Sequence, residues 1–331
     1  MRVLVTGGAG YVGAASVEGL LAAGHAVVVL DDLSTGHRGA VPRGAAFVEG
    51  TYTDADAVSE ILADQAIEAV LHCGARSLVG ESIARPELYH AENVVGGGAL
   101  LDACRAAGVT RFVFSSTAAV YGIPEAVPIE EDAAMRPINP YGETKLRFED
   151  LLRDAATNGI RSVTLRYFNV AGASAGVGEV HDPETHLIPN LLAAAGGGPP
   201  LTIFGTDYPT PDGTAIRDYI HVLDLATAHL AALEATAPGD PRMATPLVCN
   251  LGSAAGFSVR EVVAAAERVV GHPIPQSDGP RRAGDPPVLV ASNARAERVL
   301  GWRPARSTLE EMIGSAWAWR RAHPGGYPAV I

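Results

Sequence analysis

Gly7, Gly10 and Gly13 recur at every third position of the run Thr6-Gly7-Gly8-Ala9-Gly10-Tyr11-Val12-Gly13, directly after the apolar Val3-Leu4-Val5. Glycine at such positions lets the backbone turn tightly and approach a pyrophosphate, which rests on the unpaired N–H groups of the helix that follows. The spacing alone also describes an ordinary turn. Set between a strand and a helix, it predicts a dinucleotide site and a sheet of parallel strands.

The next 150 or so residues keep that rhythm. Short β-branched runs at 3–5, 26–30, 45–48, 69–72, 111–114 and 162–167 alternate with Ala/Leu-rich stretches at 12–23, 55–64, 88–107 and 143–158, several stopped by glycine. Strand, helix, strand, repeated, predicts an α/β fold with a doubly wound Rossmann-type parallel sheet. Beyond residue 170 the rhythm fades. Segments 176–189, 196–200, 205–213 and 273–287 are rich in Pro, Gly, Asp and Thr, and helices are expected at 222–235, 258–270 and 308–322. We read residues 1–170 as the dinucleotide-binding domain, which also receives later segments. Residues 171–331 form a smaller, loop-rich substrate lobe interleaved with it, over the sheet edge where ligands of open α/β sheets bind.

Hydrophobic residues at 47% and charged residues at 19% supply a large core. A formal net charge of −12 argues against a chain that tracks nucleic-acid phosphates. Three cysteines with no CxxC spacing give neither a zinc site nor a disulfide framework, and no metal is expected. No stretch reads as a targeting segment or membrane helix, so the expectation is a soluble, cytoplasmic protein without nucleic-acid or membrane partners.

Asp31 and Asp32 end the second strand, where a carboxylate accepts the adenosine ribose hydroxyls. A carboxylate repels a 2′-phosphate, and the nearest arginine is Arg38, so NAD is favoured over NADP. Downstream, Tyr141 and Lys145 stand at i and i+4 on one helix face, begun by Pro140. A phenol has a pKa of about 10, and a nearby ammonium with a positive nicotinamide ring would draw it towards a useful base. The strand-end run Ser115-Ser116-Thr117 presents hydroxyls at the sheet edge. Each feature alone has a plainer reading, as a helix face or a turn. Their succession points to hydride-transfer chemistry.

With these residues in place, the chain resembles the extended short-chain dehydrogenases/reductases, and within them the UDP-glucose (UDP-galactose) 4-epimerase family. The likeness runs from Arg2 to Tyr327. It is carried by Phe114-Ser115-Ser116-Thr117-Ala118-Ala119-Val120-Tyr121-Gly122, by Leu165-Arg166-Tyr167-Phe168-Asn169-Val170-Ala171-Gly172-Ala173 and by residues 203–222. Arg281-Arg282-Ala283-Gly284-Asp285-Pro286 and His323-Pro324-Gly325-Gly326-Tyr327 also fit. The resemblance implies that Tyr141 removes the sugar 4-hydroxyl proton while C4 passes its hydride to NAD. The 4-keto sugar then turns over with UDP anchored, and the hydride returns to the other face. Thr117 would bond the 4-oxygen, and Lys145 would bind the nicotinamide ribose.

The same resemblance implies cofactor contacts from Gly7, Gly10, Tyr11, Val12, Gly13, Asp31, Asp32, Ser34, Thr35, Gly36, Thr51, Tyr52, Cys73, Gly74, Ala75, Ser77, Asn93, Tyr167 and Phe168, besides Thr117, Tyr141 and Lys145. Substrate contacts are implied for Thr117, Tyr141, Asn169, His186, Leu187, Ile203, Phe204, Arg217, Arg282, Asp285 and Leu289. Arg217 and Arg282 would meet the diphosphate and ribose, Asp285 the uridine ribose, and Ile203 and Phe204 the uracil. Family members pair through two helices here matched by 88–107 and 143–158. Leu100, Leu101, Leu146, Leu151 and Leu152 exceed what one sheet face can cover, which predicts an isologous homodimer.

Several positions depart from the family pattern. Thr51 replaces an Asp that reads the adenine amino group, and Arg76-Ser77 follows Ala75 where some members carry a Lys. His186 replaces an Asn at the diphosphate, and Leu289 stands where Tyr or a smaller residue limits access for a 2-acetamido group. The alternative is therefore a 4-epimerase acting mainly on UDP-N-acetylhexosamine or a UDP-pentose. A dehydratase needs an acid and a base after Thr117, where this chain has Ala118 and Ala119. A non-catalytic nucleotide sensor would be expected to lose one of Thr117, Tyr141 or Lys145, and all three are present.

Overall fold

A computed structural model describes residues 1–243, 246–282 and 284–328; Ala283 of the Arg281-to-Pro286 run lies outside the described residues. The strands are β1 (Arg2–Thr6), β2 (Ala26–Asp31), β3 (Ala46–Glu49), β4 (Ala69–His72), β5 (Arg111–Thr117), β6 (Arg161–Tyr167), β7 (Asn169–Ala171), β8 (Leu201–Phe204), β9 (Ile216–His221), β10 (Leu247–Leu251), β11 (Gly256–Ser258), β12 (Gln276–Gly279) and β13 (Val288–Leu289). The helices are α1 (Tyr11–Ala22), α2 (Ala55–Asp64), α3 (Val79–Ala84), α4 (Pro86–Tyr89), α5 (Gly97–Ala106), α6 (Pro140–Ala156), α7 (Leu187–Ala195), α8 (Val222–Ala235), α9 (Val259–Val270), α10 (Ala294–Leu300) and α11 (Leu309–Ala322).

Seven strands make one parallel sheet in the order β10-β6-β5-β4-β1-β2-β3. Strand order reverses between β1 and β4, so their carboxyl ends splay apart and leave the crevice in which such sheets bind ligands. Alternate side chains feed two cores. Val3, Val5, Val29, Leu71, Val113 and Val163 pack under α8 through Leu225, Ala228 and Ala232. On the opposite face Leu4, Val28, Val70 and Phe112 meet Val58, Leu62, Leu100, Phe148 and Leu152 from α2, α5 and α6. Each such side chain contributes about 1.5–3 kcal/mol on burial, so the sheet is a rigid platform.

Beyond β6, β9 is flanked by β7, β11 and β13, and β8 pairs with β12. A further core of Ile188, Leu191, Ile203, Tyr219, Val262, Met312 and Ile313 binds these strands to α7, α9 and α11. Among the described residues, no helix is long and apolar enough to cross a membrane.

Three sequence expectations change. The helix expected over 88–107 is interrupted by a π-helical stretch, His90–Gly96, between α4 and α5. Gly96 and Gly97 back directly onto Thr53 and Phe148, where an added Cβ would collide. Second, α7 begins inside the loop expected over 176–189. Its first turn contains Pro189, which reads as a breaker from sequence, and His186 caps it with no side-chain bond.

Third, the leucines expected to project do not. Leu100, Leu101 and Leu152 are only 0–5% exposed, and Leu146 and Leu151 are half-buried, because the aromatic core around Phe148 and the wall by Phe168 absorb them. The large apolar side chains left in solvent on that side are Val79, Ile83 and Val95.

Candidate active site

The first turn of α1 forms at the switch-point crevice. Gly7 takes φ +68°, and a Cβ there would strike the backbone of Cys73 and Gly74 beyond β4. A Cβ on Gly13 would strike the Gly7 carbonyl, so the loop folds back on the helix only with both glycines in place. Gly10 caps α1 without a side-chain acceptor, which leaves the N–H groups of Tyr11, Val12 and Gly13 to an anionic group. Asp31 is buried, and its two oxygens accept from Ala9 N and Leu33 N at 2.9 Å each. It thereby ties the glycine loop to residues 33–36, and burial raises its carboxyl above the ordinary value. Asp32 is exposed and accepts from Ser34 N at 2.9 Å, with Ser34 and Thr35 exposed beside Gly36. This cradle, which any larger side chain would fill, fits a dinucleotide.

The other expected cofactor residues line the same edge with specific restraints. Thr51 bonds the Thr53 hydroxyl at 2.9 Å, and its own oxygen accepts from Thr53 N, so its polar atom is held locally. Tyr52 lies edge-on to His72 and beneath Gly74. Cys73 Sγ sits 3.2 Å from Ser115 Oγ, and burial pushes its thiol up to about 11. Ala75 is partly exposed and Ser77 exposed. Asn93 uses its amide on Arg76 N, Arg76 O and Thr144 Oγ1 at 2.9–3.1 Å, clamping the loop after β4 onto α6. Arg76 itself is turned to Glu92 at 2.7 Å.

β5 ends at Thr117, opposite Tyr167 of β6. α6 starts beside it because Pro140 occupies its first turn and Asn139 accepts from Gly142 N at 2.8 Å. Tyr141 stands in the first turn of α6, one turn before Lys145, with the Thr117 side chain beside it. Lys145 is buried, donates to the Ser115 carbonyl at 2.9 Å, and lies 4.8 Å from the Phe114 ring centre. Burial pushes the Tyr141 phenol up to about 12, opposed by neighbouring Thr117, and pushes the Lys145 ammonium down to about 8. The expected lowering of Tyr141 by Lys145 is therefore not what the protein's own groups produce. Lys145 is buried and Tyr141 half-buried, and burial drives each towards its neutral form.

The expected substrate residues divide between the small sheet and its loops. Asn169 is exposed on β7, paired in register with Tyr219 of β9, and Phe168 is buried just before it. Arg217 of β9 is paired with Asp285, and Leu289 of β13 lies opposite Arg217. The Arg282 guanidinium sits 4.3 Å over the ring of Phe204, next to buried Ile203. The residues expected on the two halves of a UDP group thus contact one another: Arg217 with Asp285, and Arg282 with Phe204. His186 precedes Leu187 at the start of α7 and bonds Glu184 through Nδ1 at 2.9 Å.

A family described as the NAD dependent epimerase/dehydratase family matches residues 3–252. The chain belongs to this family. It is 52% identical over 329 residues to a UDP-glucose 4-epimerase of Streptomyces lividans, covering 98% of each chain. Among solved structures, it is similar to UDP-glucose 4-epimerase from Brucella ovis in complex with NAD (46% identity, TM-score 0.91, 96% and 97% of the two chains). It is also similar to the Bifidobacterium longum enzyme in complex with NAD+ and UDP (34%, TM-score 0.91, 99% and 100%).

The structure adds residues that sequence reading missed. Behind Tyr141, Glu149 accepts from Ser116 Oγ at 2.6 Å and from Arg166 Nε at 2.9 Å, and Arg166 also donates to Tyr121, which bonds Asn250. Ser116, Tyr121 and Arg166 lie in the runs that carry the family resemblance, but only the fold brings Glu149 and Asn250 to them. Glu179, His181, Glu184 and His186 also converge, within one loop.

Proposed function

We propose that this protein interconverts UDP-glucose and UDP-galactose by inverting C4 of the sugar, with NAD resident in the crevice between β1 and β4. The observation that carries this reading is buried Lys145, tethered to the end of β5 one turn beyond Tyr141 and beside Thr117, at the mouth of a glycine cradle in a member of the epimerase/dehydratase family. NAD, when bound, supplies a hydride acceptor that also returns the hydride.

The chain's own residues do the rest. Tyr141 Oη, as the phenolate that the Lys145 ammonium and a bound nicotinamide cation would favour, takes the proton from the sugar 4-hydroxyl and gives it back to the 4-oxygen, while Thr117 bonds that oxygen. Lys145, tethered to Ser115, keeps a positive charge beneath the site and donates to the nicotinamide ribose. The N-terminus of α1 holds the pyrophosphate, and Asp31 sets the loop that receives the adenosine. Arg217 and Arg282 turn from Asp285 and Phe204 to the UDP diphosphate, so uracil and ribose can settle against Ile203, Phe204 and Asp285. Anchored at UDP alone, the 4-keto sugar can present its other face.

In this reading residues 1–170, with β10 returning to their sheet, hold the cofactor, and 171–331 hold the substrate. Three free thiols accord with a cytoplasmic setting. A homodimer would bury Val79, Ile83 and Val95, and sedimentation at micromolar concentration tests it.

The function is tested by incubating the protein with UDP-galactose and resolving the products. UDP-glucose should accumulate to a constant ratio, reached equally from UDP-glucose. No interconversion in the presence of NAD refutes the reading.

A further inference from the structure

The loop between β7 and α7 gathers two imidazoles and two carboxylates: Glu179, His181, Glu184 and His186. One donor atom from each lies within 4.8 Å of the others. His181 Nδ1 is 3.4 Å from Glu179 Oε1 and 3.4 Å from Glu184 Oε2. His186 Nδ1 is 3.1 Å from Glu179 Oε1 and 2.9 Å from Glu184 Oε1. A tetrahedron built on zinc bonds of about 2.0–2.2 Å has edges of roughly 3.3–3.6 Å. The two His181 separations, 3.4 Å each, fall in that range, and the two His186 separations, 3.1 and 2.9 Å, are shorter than its lower edge.

Hydrogen bonding alone leaves this cluster incomplete. His181 Nδ1 is sealed from solvent and has no hydrogen-bond partner. The Glu179 side chain is 8% exposed, and its Oε1 faces the two imidazoles, with no hydrogen bond reaching the carboxylate among the described residues. A buried polar atom left without a partner destabilises the fold, and a bound cation would supply that partner. Glu184 is already oriented. Thr185 N and His186 N each donate to its Oε1 at 2.8 Å, which leaves Oε2 on the His181 side.

We infer that Glu179, His181, Glu184 and His186 form a binding site for one divalent first-row transition-metal ion of the zinc type. Two imidazole nitrogens with two carboxylate oxygens suit that class better than Mg2+ or Ca2+, which take oxygen ligands at higher coordination number. The metal replaces the proton on His186 Nδ1, satisfies His181 Nδ1 and neutralises the two carboxylates. It ties the start of α7 to the loop that leaves β7. The site shares His186 with the contacts expected at the diphosphate, and metal binding to the protein without substrate tests it separately from the epimerase reading.

The test is calorimetric titration of chelator-treated full-length protein with Zn2+ alone, repeated with Co2+ to read the geometry from its visible spectrum. The expected result is one saturable site per chain, a tetrahedral Co2+ spectrum and a thermal unfolding temperature that rises with Zn2+. His181→Ala and the isosteric Glu179→Gln should each weaken Zn2+ binding by about 10-fold or more, since even supporting residues around a metal are worth about 10–100-fold. In chelator both should unfold close to the parent temperature. Absence of a saturable site, or unchanged Zn2+ affinity in Glu179→Gln, overturns the proposal. If His181→Ala does not fold, Glu179→Gln decides alone.

Discussion

Lys145 Nζ is tethered to the carbonyl oxygen of Ser115 at 2.9 Å, so the ammonium one turn beyond Tyr141 is fixed to the end of β5. One N–H is spent on the sheet and two remain for a ligand. Lys145→Met removes the charge and strands a buried carbonyl. Turnover should fall by about 10²-fold or more, and stability by about 1–3 kcal/mol. Steady-state kinetics and urea unfolding check both, and a variant with full turnover would contradict the role given to Lys145.

Glu149 and Arg166 are each 2% exposed and joined through two oxygens. Glu149→Gln leaves a buried guanidinium without its counter-charge, which costs about 3–5 kcal/mol. The exposed Glu143–Arg147 pair is the control: Glu143→Gln should change stability by less than about 1 kcal/mol. Denaturant midpoints for the two variants should differ accordingly. Equal midpoints would show that the pair behind Tyr141 does not hold β5, β6 and α6 together.

His229 is buried between Ser16 Oγ at 3.2 Å and Ser115 Oγ at 3.0 Å, and burial lowers its pKa from 6.5 to about 4. Between those values the unfolded chain takes up a proton that the folded protein refuses. The stability contributed above pH 6.5 is therefore lost as pH falls towards 4. Integrated over that window the loss is about 3 kcal/mol. His229→Gln should flatten the stability profile there, measured by unfolding from pH 7 to 4. Parallel profiles for parent and variant would rule out His229 as a source of the acid sensitivity.

Leu289 is half-buried against the wall formed by Ala118, Tyr121 and Phe168, and its strand partner is Arg217. If it bounds the sugar pocket, a 2-acetamido group competes with it for volume. Leu289→Tyr should abolish slow epimerisation of UDP-N-acetylhexosamine by overpacking, worth about 1–3 kcal/mol, and spare UDP-glucose. Leu289→Ser should raise the slower activity. An unchanged ratio of the two activities in both variants would place Leu289 in the core instead.

Most of the sheet was legible because its signal is local. The apolar run Val3-Leu4-Val5 before the glycines, the carboxylate of Asp31 at a strand end and the helical i, i+4 spacing of Tyr141 and Lys145 are each readable within a few residues of sequence. What was not legible depends on contacts between distant segments. The π-helical stretch at His90–Gly96 meets distant segments, with Thr53 and Phe148 lying directly against Gly96 and Gly97. Glu149 reads as an exposed helix position until Arg166 arrives from β6. The surplus of leucines on α5 and α6 was misread, since the depth of the aromatic core that covers them cannot be counted from one strand of sequence. For Glu179, His181, Glu184 and His186, a search for cysteine spacing finds nothing, and a Pro-rich loop hides the convergence.

The central claim is that C4 loses a hydride and regains the same one on the opposite face while Tyr141 handles only the hydroxyl proton. UDP-glucose carrying deuterium at C4, converted in ordinary water and analysed by NMR, tests this directly. The account predicts UDP-galactose with deuterium retained at C4 and none released to solvent. Product with hydrogen at C4, and the label in water, would contradict it.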